Sequence, residues 1–156
     1  MLALHFRLSF LSKSQKNKNK ITLRLLSMNH NWEKKTIVIV EDVDFNYLLL
    51  EKQLKKTKAN IVWLKNGKES VDYIKEKKVA DVILMDVRMP IMNGIDATKI
   101  IKHLNSDIPI IMQTACIVGS DYDEVIGSGC NDFIFKPIIA IELIDKIDKL
   151  INIKIK

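Results

Sequence analysis

From Thr36 onward, short apolar segments alternate strictly with amphipathic ones, and no other feature restricts the fold as strongly. TIVIVED (Thr36–Asp42), Asn60–Leu64, Val82–Met85, Ile108–Thr114 and Asn131–Phe135 have the length and β-branched content of strands. Val82, Ile83, Leu84 and Met85 show no polar alternation, as expected of a strand buried on both faces. The intervening segments predict helices from Asp44 to about Lys56, Lys68 to about Lys77, about Ile95 to Leu104, Gly119 to Gly129 and about Ile141 to Ile151. Asp44 is the expected cap of the first, with Phe45, Leu48 and Leu49 on its inner face, and Asn66-Gly67 is the turn before the second. Val71 and Ile74 point inward from the second; Ala97, Ile100, Ile101 and Leu104 from the third; Leu143, Ile144, Ile147, Leu150 and Ile151 from the last.

Five strand–helix units joined by short connections leave right-handed crossovers as the only economical linkage. The fold class is therefore α/β, a doubly wound five-stranded parallel sheet with helices on both faces. By analogy with flavodoxin-like sheets of this size, the expected strand order is 2-1-3-4-5, a (βα)5 arrangement. Residues 1–33 show no such period. They include the polar run Lys13–Lys20, which cannot bury enough surface to offset its ordering entropy, so 1–33 is expected to be a basic, disordered extension and 34–156 the folded domain. Met28 stands just ahead of the regular pattern, which keeps open a start at that residue.

The formal charge of +6 suggests nucleic acid or membrane, but its distribution removes the suggestion. Six basic residues and no acidic ones lie within residues 1–28, which leaves 19 basic against 19 acidic residues in the rest. No direct nucleic acid binding and no membrane insertion are expected, since no uncharged apolar run approaches the ~18–20 residues of a span. The first twelve residues are broken by His5 and Arg7 and lack a small-residue cleavage site, which argues against a signal peptide. Cys116 and Cys130 have no metal-ligand spacing and read as buried free thiols of a cytoplasmic protein.

In the expected order, the C-terminal strand ends bring together Glu41 and Asp42, Asp86, Thr114 and Lys136. Crowded carboxylates raise one another's pKa values unless a cation sits among them. Oxygen donors without His or thiolate suit a hard divalent ion, and few protein ligands suit Mg²⁺. A phosphate site on this fold would need a Gly/Ser/Thr-rich loop after the first strand. The loop here, EDVDFN, repels a bare anion. A metal beside Asp86, with a hydroxyl and an ammonium facing it, is suited to forming a phosphoryl group on the carboxylate, Asp86 acting as nucleophile.

The motifs V-E-D (40–42), M-D-V-R-M-P-I-M-N-G (85–94), Q-T-A (113–115) and F-x-x-K-P (133–137) together resemble a response-regulator receiver domain of two-component signalling over about Lys35–Ile151. Asn46, four residues after Asp42, and the Met85–Gly94 run are most similar to receivers of hybrid sensor kinases and their stand-alone relatives. The resemblance implies that Asp86 is the phosphoacceptor and that Glu41, Asp42, Asp86 and the backbone carbonyl of Arg88 bind Mg²⁺. Thr114 would be the switch hydroxyl, Lys136 the phosphoryl partner and Phe133 the switch aromatic, with a cis Lys136–Pro137 bond. Asn93 departs from the commoner Asp, and Phe133 lacks a ring hydroxyl. The resemblance places Arg88 and Cys116 at the two variable positions flanking the site, which in the family tune phosphoryl lifetime.

The implied function is a phosphorylation-dependent switch that accepts a phosphoryl group from a histidine kinase or phosphotransfer protein. Its output would be a changed surface at the fourth helix, fifth strand and fifth helix, read by a downstream protein target, with homodimerisation on phosphorylation left open. It would catalyse only its own phosphorylation and dephosphorylation, with no turnover of an external substrate. Two alternatives stand beside it: a receiver fragment of a hybrid histidine kinase acting as phosphorelay intermediate, and a phosphorylation-independent interaction module. Retention of Glu41, Asp42, Asp86, Thr114 and Lys136 argues against the inert module. Fewer than ten residues follow the last predicted helix, so output through protein contact is expected.

Overall fold

A computed structural model describes residues 30–115 and 120–152. Strands β1 (Thr36–Val40), β2 (Asn60–Leu64), β3 (Val82–Asp86), β4 (Ile110–Thr114) and β5 (Asp132–Phe135) alternate with helices α1 (Asp44–Leu54), α2 (Gly67–Lys75), α3 (Gly94–Leu104), α4 (Ser120–Gly127) and α5 (Ala140–Ile151). A short 3-10 turn, Lys55–Thr57, extends α1. All pairings are parallel and the sheet order is β2-β1-β3-β4-β5, as expected. All five residues of β3, the central strand, are buried.

The pleat sends alternate residues into two cores. Ile37, Ile39, Leu84, Ile111 and Ile134 face α1 and α5, whose Leu50, Leu54, Leu143, Ile147 and Ile151 close that side. Val38, Val40, Ile83, Met85, Ile110 and Met112 face α2, α3 and α4 through Val71, Ile74, Ala97, Ile101 and Val125.

Four expectations are corrected. In α1, Phe45, Leu48 and Leu49 are exposed, while Leu50 and Leu54 are buried and Tyr47 packs beside them. Apolar residues lie nearly all round this helix, so periodicity leaves its phase ambiguous, and the Leu50/Leu54 pair one turn apart sets it. Asp44 is not the cap: Val43 occupies that position, and the Asp44 carboxylate in the first turn pairs with Lys65. Leu104, at the end of α3, is exposed. Trp32 lies in the stretch expected to be disordered, yet it is 4% exposed and belongs to the α1/α5 core. Its N–H donates to the Thr57 carbonyl (2.7 Å), and one ring nitrogen of His30 lies 3.3 Å from Asp148 on α5, so packing reaches back to His30. Cys130 is a free, half-buried thiol, and Cys116 and residues 1–29 lie outside the described residues.

Asn66 caps α2 by accepting from the Glu69 N–H (3.0 Å), while the Glu69 carboxylate accepts from the Asn66 side chain (2.7 Å) and the Lys65 N–H (2.8 Å). Removing such a cap costs about 1 kcal/mol. Asn66→Ala is expected to lower unfolding stability by that amount in denaturant titration with an unchanged m-value.

Candidate functional site

The parallel sheet points the C-terminal ends of β1, β3 and β4 toward one crevice, and Lys136 enters it from the link between β5 and α5. Glu41, just past β1, is fully buried, Asp42 half-buried and Asp86, the last residue of β3, 7% exposed. One carboxylate oxygen from each lies within 4.8 Å of the other two. Lys136 Nζ donates to Glu41 Oε2 and Asp86 Oδ2, both at 2.8 Å. Glu41 Oε1 accepts from the Val43 N–H (3.2 Å) and the Asn46 side chain (3.1 Å), and Asp86 Oδ1 accepts from the Arg88 N–H at 3.4 Å.

Burial pushes the Asp86 carboxyl above its ordinary range, and the charge on Glu41 adds to the rise. Lys136 and the Arg88 N–H offset part of it. Burial pulls the Lys136 ammonium down, but its bonds to Asp86 and Glu41 outweigh that and hold it above the usual lysine value. Lys136 is therefore a fixed positive charge. With all groups ionised, three carboxylates and one ammonium leave a formal charge of −2. That surplus is the charge of one divalent cation, and the all-oxygen donor set fits a hard one.

The structure brings Glu41, Asp42, Asp86 and Lys136 together, with the Arg88 backbone beside Asp86. Thr114 is buried at the end of the next strand, one residue beyond the Asp86–Gln113 pairing, and its carbonyl accepts from the Lys136 N–H (2.8 Å). Toward α4 it lines a cleft of about 270 Å³ with Val87, Arg88 and Glu124. Phe133 lies earlier in β5, half-buried and edge-on to Tyr122 (6.1 Å) and Phe135 (5.5 Å), away from the carboxylates. The Lys136–Pro137 bond is cis, as the resemblance implied.

Two features had no signal as site elements. A cleft of about 450 Å³ beside Lys136 is lined by Phe45, Leu49, Leu50, Gln53, Pro137 and Ile138, and it exists because α1 turns Phe45 and Leu49 outward. Trp63, which reads as an ordinary strand aromatic, donates its indole N–H to the Glu41 carbonyl at 2.9 Å.

The response regulator receiver domain family profile matches residues 37–148. The chain is similar to the chemotaxis protein CheY of Bacillus subtilis, 35% identical over 117 residues that make up 74% of this chain and 97% of CheY. It is also similar to hybrid signal transduction histidine kinase I of Dictyostelium discoideum, 34% identical over 110 residues, or 65% of this chain and 6% of the kinase. Other long relatives share the pattern, so that the chain spans only 6% to 14% of the hybrid kinase, a probable histidine kinase of rice and a fungal Ssk1 regulator. Among solved structures, the receiver domain of a sensor histidine kinase from Pseudomonas aeruginosa, with a magnesium ion coordinated in its active-site cleft, superposes with TM-score 0.71 at 29% identity, covering 76% of this chain and 98% of that one. The receiver domain of Ssk1 from Saccharomyces cerevisiae, crystallised with the histidine phosphotransfer protein Ypd1, superposes with TM-score 0.68 at 30% identity, covering 74% and 88%.

Proposed function

The chain belongs to the response regulator receiver family of two-component signalling, and from that premise we propose that it is a phosphorylation-dependent switch with Asp86 as phosphoacceptor. The observation that carries the reading is Lys136 held at 2.8 Å from both Glu41 and Asp86, beside a third carboxylate, Asp42. A lysine committed to two buried carboxylates is poised to exchange one of them for a phosphoryl oxygen.

In this mechanism Glu41, Asp42, Asp86 and the Arg88 backbone carbonyl hold Mg²⁺, which supplies charge neutralisation at the transferring group. Asp86 attacks phosphorus through a carboxylate oxygen. The new O–P bond forms as the bond from phosphorus to the donor's imidazole nitrogen breaks, and that nitrogen keeps the electron pair. Lys136 moves its hydrogen bond from Asp86 to the phosphoryl group, and Thr114 turns its hydroxyl toward the same group. Phe133, half-buried against the core under α2, α3 and α4 and edge-on to Tyr122 and Phe135, then repacks and changes the surface of α4, β5 and α5. The switch acts on its own carboxylate and turns over no external substrate.

The donor is a histidine kinase or a histidine phosphotransfer protein, and it docks where Phe45, Leu48 and Leu49 stand exposed on α1 beside the crevice. An apolar patch next to a charged site suits a helical partner presenting a phosphohistidine. We place the switch in the cytoplasm, where kinases deliver the group; no helix among the described residues is long and apolar enough to cross a membrane. The same chemistry serves a receiver carried within a hybrid kinase, as the hybrid-kinase relative illustrates.

Incubation with Mg²⁺ and acetyl phosphate is expected to add one phosphoryl group by intact mass, with chelation of the metal preventing it. An unmodified mass at saturating Mg²⁺ and phosphodonor overturns the reading.

A further inference from the structure

Glu41 and Asp42 sit on a turn, and a turn that holds two metal ligands needs its backbone fixed from outside. The Glu41 N–H donates to the Leu64 carbonyl (3.0 Å), and the Glu41 carbonyl accepts from the Trp63 indole N–H (2.9 Å). Both faces of the peptide chain at Glu41 are thus tied to β2. The first tie is main chain and available to any residue, whereas the second depends on tryptophan.

Trp63 is itself held. Its register partner is Ile39, whose face of the sheet meets α1. There the indole stacks on Tyr47 with ring centroids 4.0 Å apart and planes 1° from parallel. Lys65 Nζ lies 3.6 Å from the centre of the Trp63 ring and pairs with Asp44, so it bridges the end of β2 to the start of α1. The Tyr47 hydroxyl donates to Glu51 at 2.8 Å; burial first, and then this bond and the Glu51 charge, push its pKa up to about 12, so it stays a donor. Tyr47, Trp63, Lys65 and Asp44 thus link the start of α1 to the end of β2 alongside the Glu41–Asp42 turn.

We propose that Trp63 is a positioning residue for metal binding: its indole N–H, oriented by the Tyr47 stack, holds the Glu41–Asp42 turn in the geometry that presents both carboxylates to Mg²⁺. The inference rests on the reading of Glu41 and Asp42 as metal ligands. Groups that orient metal ligands typically change affinity by ten- to a hundredfold when removed. Trp63→Phe keeps a six-membered ring against Tyr47 and removes the N–H donor with the rest of the indole.

The test measures Mg²⁺ binding to the whole chain by calorimetry, together with the Mg²⁺ dependence of phosphorylation by acetyl phosphate. Trp63→Phe is expected to raise the Mg²⁺ dissociation constant and the Mg²⁺ concentration for half-maximal phosphorylation by about tenfold, with a much smaller change in the maximal rate. A second measurement needs no variant. In wild-type protein the Trp63 indole N–H resonance should shift with the same Mg²⁺ midpoint as the Asp86 amide, while that of Trp32 stays in place. An affinity within twofold of wild type in Trp63→Phe, or an indole resonance unmoved at saturating Mg²⁺, overturns the proposal. If wild type takes up no Mg²⁺ at all, the metal site itself fails, an outcome distinct from equal binding by the two proteins.

Discussion

Asp86→Asn is expected to abolish phosphoryl incorporation and, at neutral pH without metal, to make the protein more stable. Asparagine is nearly the same shape, so the packing of β3 is kept, but its one carbonyl oxygen replaces only one of the two acceptors, Oδ1 facing the Arg88 N–H or Oδ2 facing Lys136, and the bond at the other position is lost. What disappears is the proposed nucleophile and one negative charge in a crowded buried crevice. Burial and Glu41 hold the Asp86 pKa above its ordinary value. The folded state therefore binds more protons than the unfolded one between the two pKa values, and stability falls as pH rises through that window. Above it, ionised Asp86 is a standing cost that asparagine removes. The expected gain is roughly 2–5 °C in Tm, the response to about 1 kcal/mol in a domain of this size, and it should vanish on acidification below the ordinary aspartate range. Mg²⁺ should reverse the order, stabilising wild type more than the variant. Persistent labelling of Asp86→Asn by acetyl phosphate, seen by intact mass, would sink the assignment.

The same residue shows why the convergence of Glu41, Asp42, Asp86 and Lys136 is legible in the sequence. Strand-ending carboxylates, a hydroxyl and a lysine are tied to positions that strand periodicity locates, and a parallel sheet gathers strand ends without further information. β2 is legible to the residue, and the strand order follows. The departures from the expected packing have separate physical causes. Where apolar residues cluster too densely, as in Phe45-Asn46-Tyr47-Leu48-Leu49-Leu50, several helix phases look equally good, and the choice belongs to tertiary contacts such as Leu54 against the sheet. Leu104 departs for its own reason, since a helix end can satisfy the period while running past the core. Trp32 escaped because a single aromatic outside any periodic run carries no pattern; only the pocket formed by α1, α5 and Thr57 gives it a place. The tie from Trp63 to Glu41 depends on the rotation of one side chain, about which spacing says nothing.

Gly94→Ala is expected to destabilise the protein by about 3 kcal/mol or more, and to weaken the site with the fold. Gly94 opens α3 after a loop that leaves the end of β3 and folds back on it. Its N–H donates to the Val87 carbonyl at 2.9 Å, which closes the loop. A Cβ placed there would stand 2.0 Å from the carbonyl oxygen of Asp86 and 2.9 Å from both the Asp86 carbonyl carbon and Met85 Cγ. The obstacle is the backbone of the central strand, buried along its length, so no side-chain rotation relieves it. Either α3 retreats, breaking the Val87 bond and opening the contact of Ala97 and Ile101 with the sheet, or the Asp86 peptide moves. The second route displaces the Asp86 carboxylate from Lys136 and from the Arg88 N–H. Both routes predict a lower denaturant midpoint and weaker Mg²⁺ binding. Gly127→Ala is the control, because an added Cβ there meets nothing within 4 Å and the position lies in α4. Alanine should be neutral there or stabilising by up to about 1 kcal/mol. Equal stability of the two variants in denaturant titration would show that close approach to Asp86 is not what Gly94 provides.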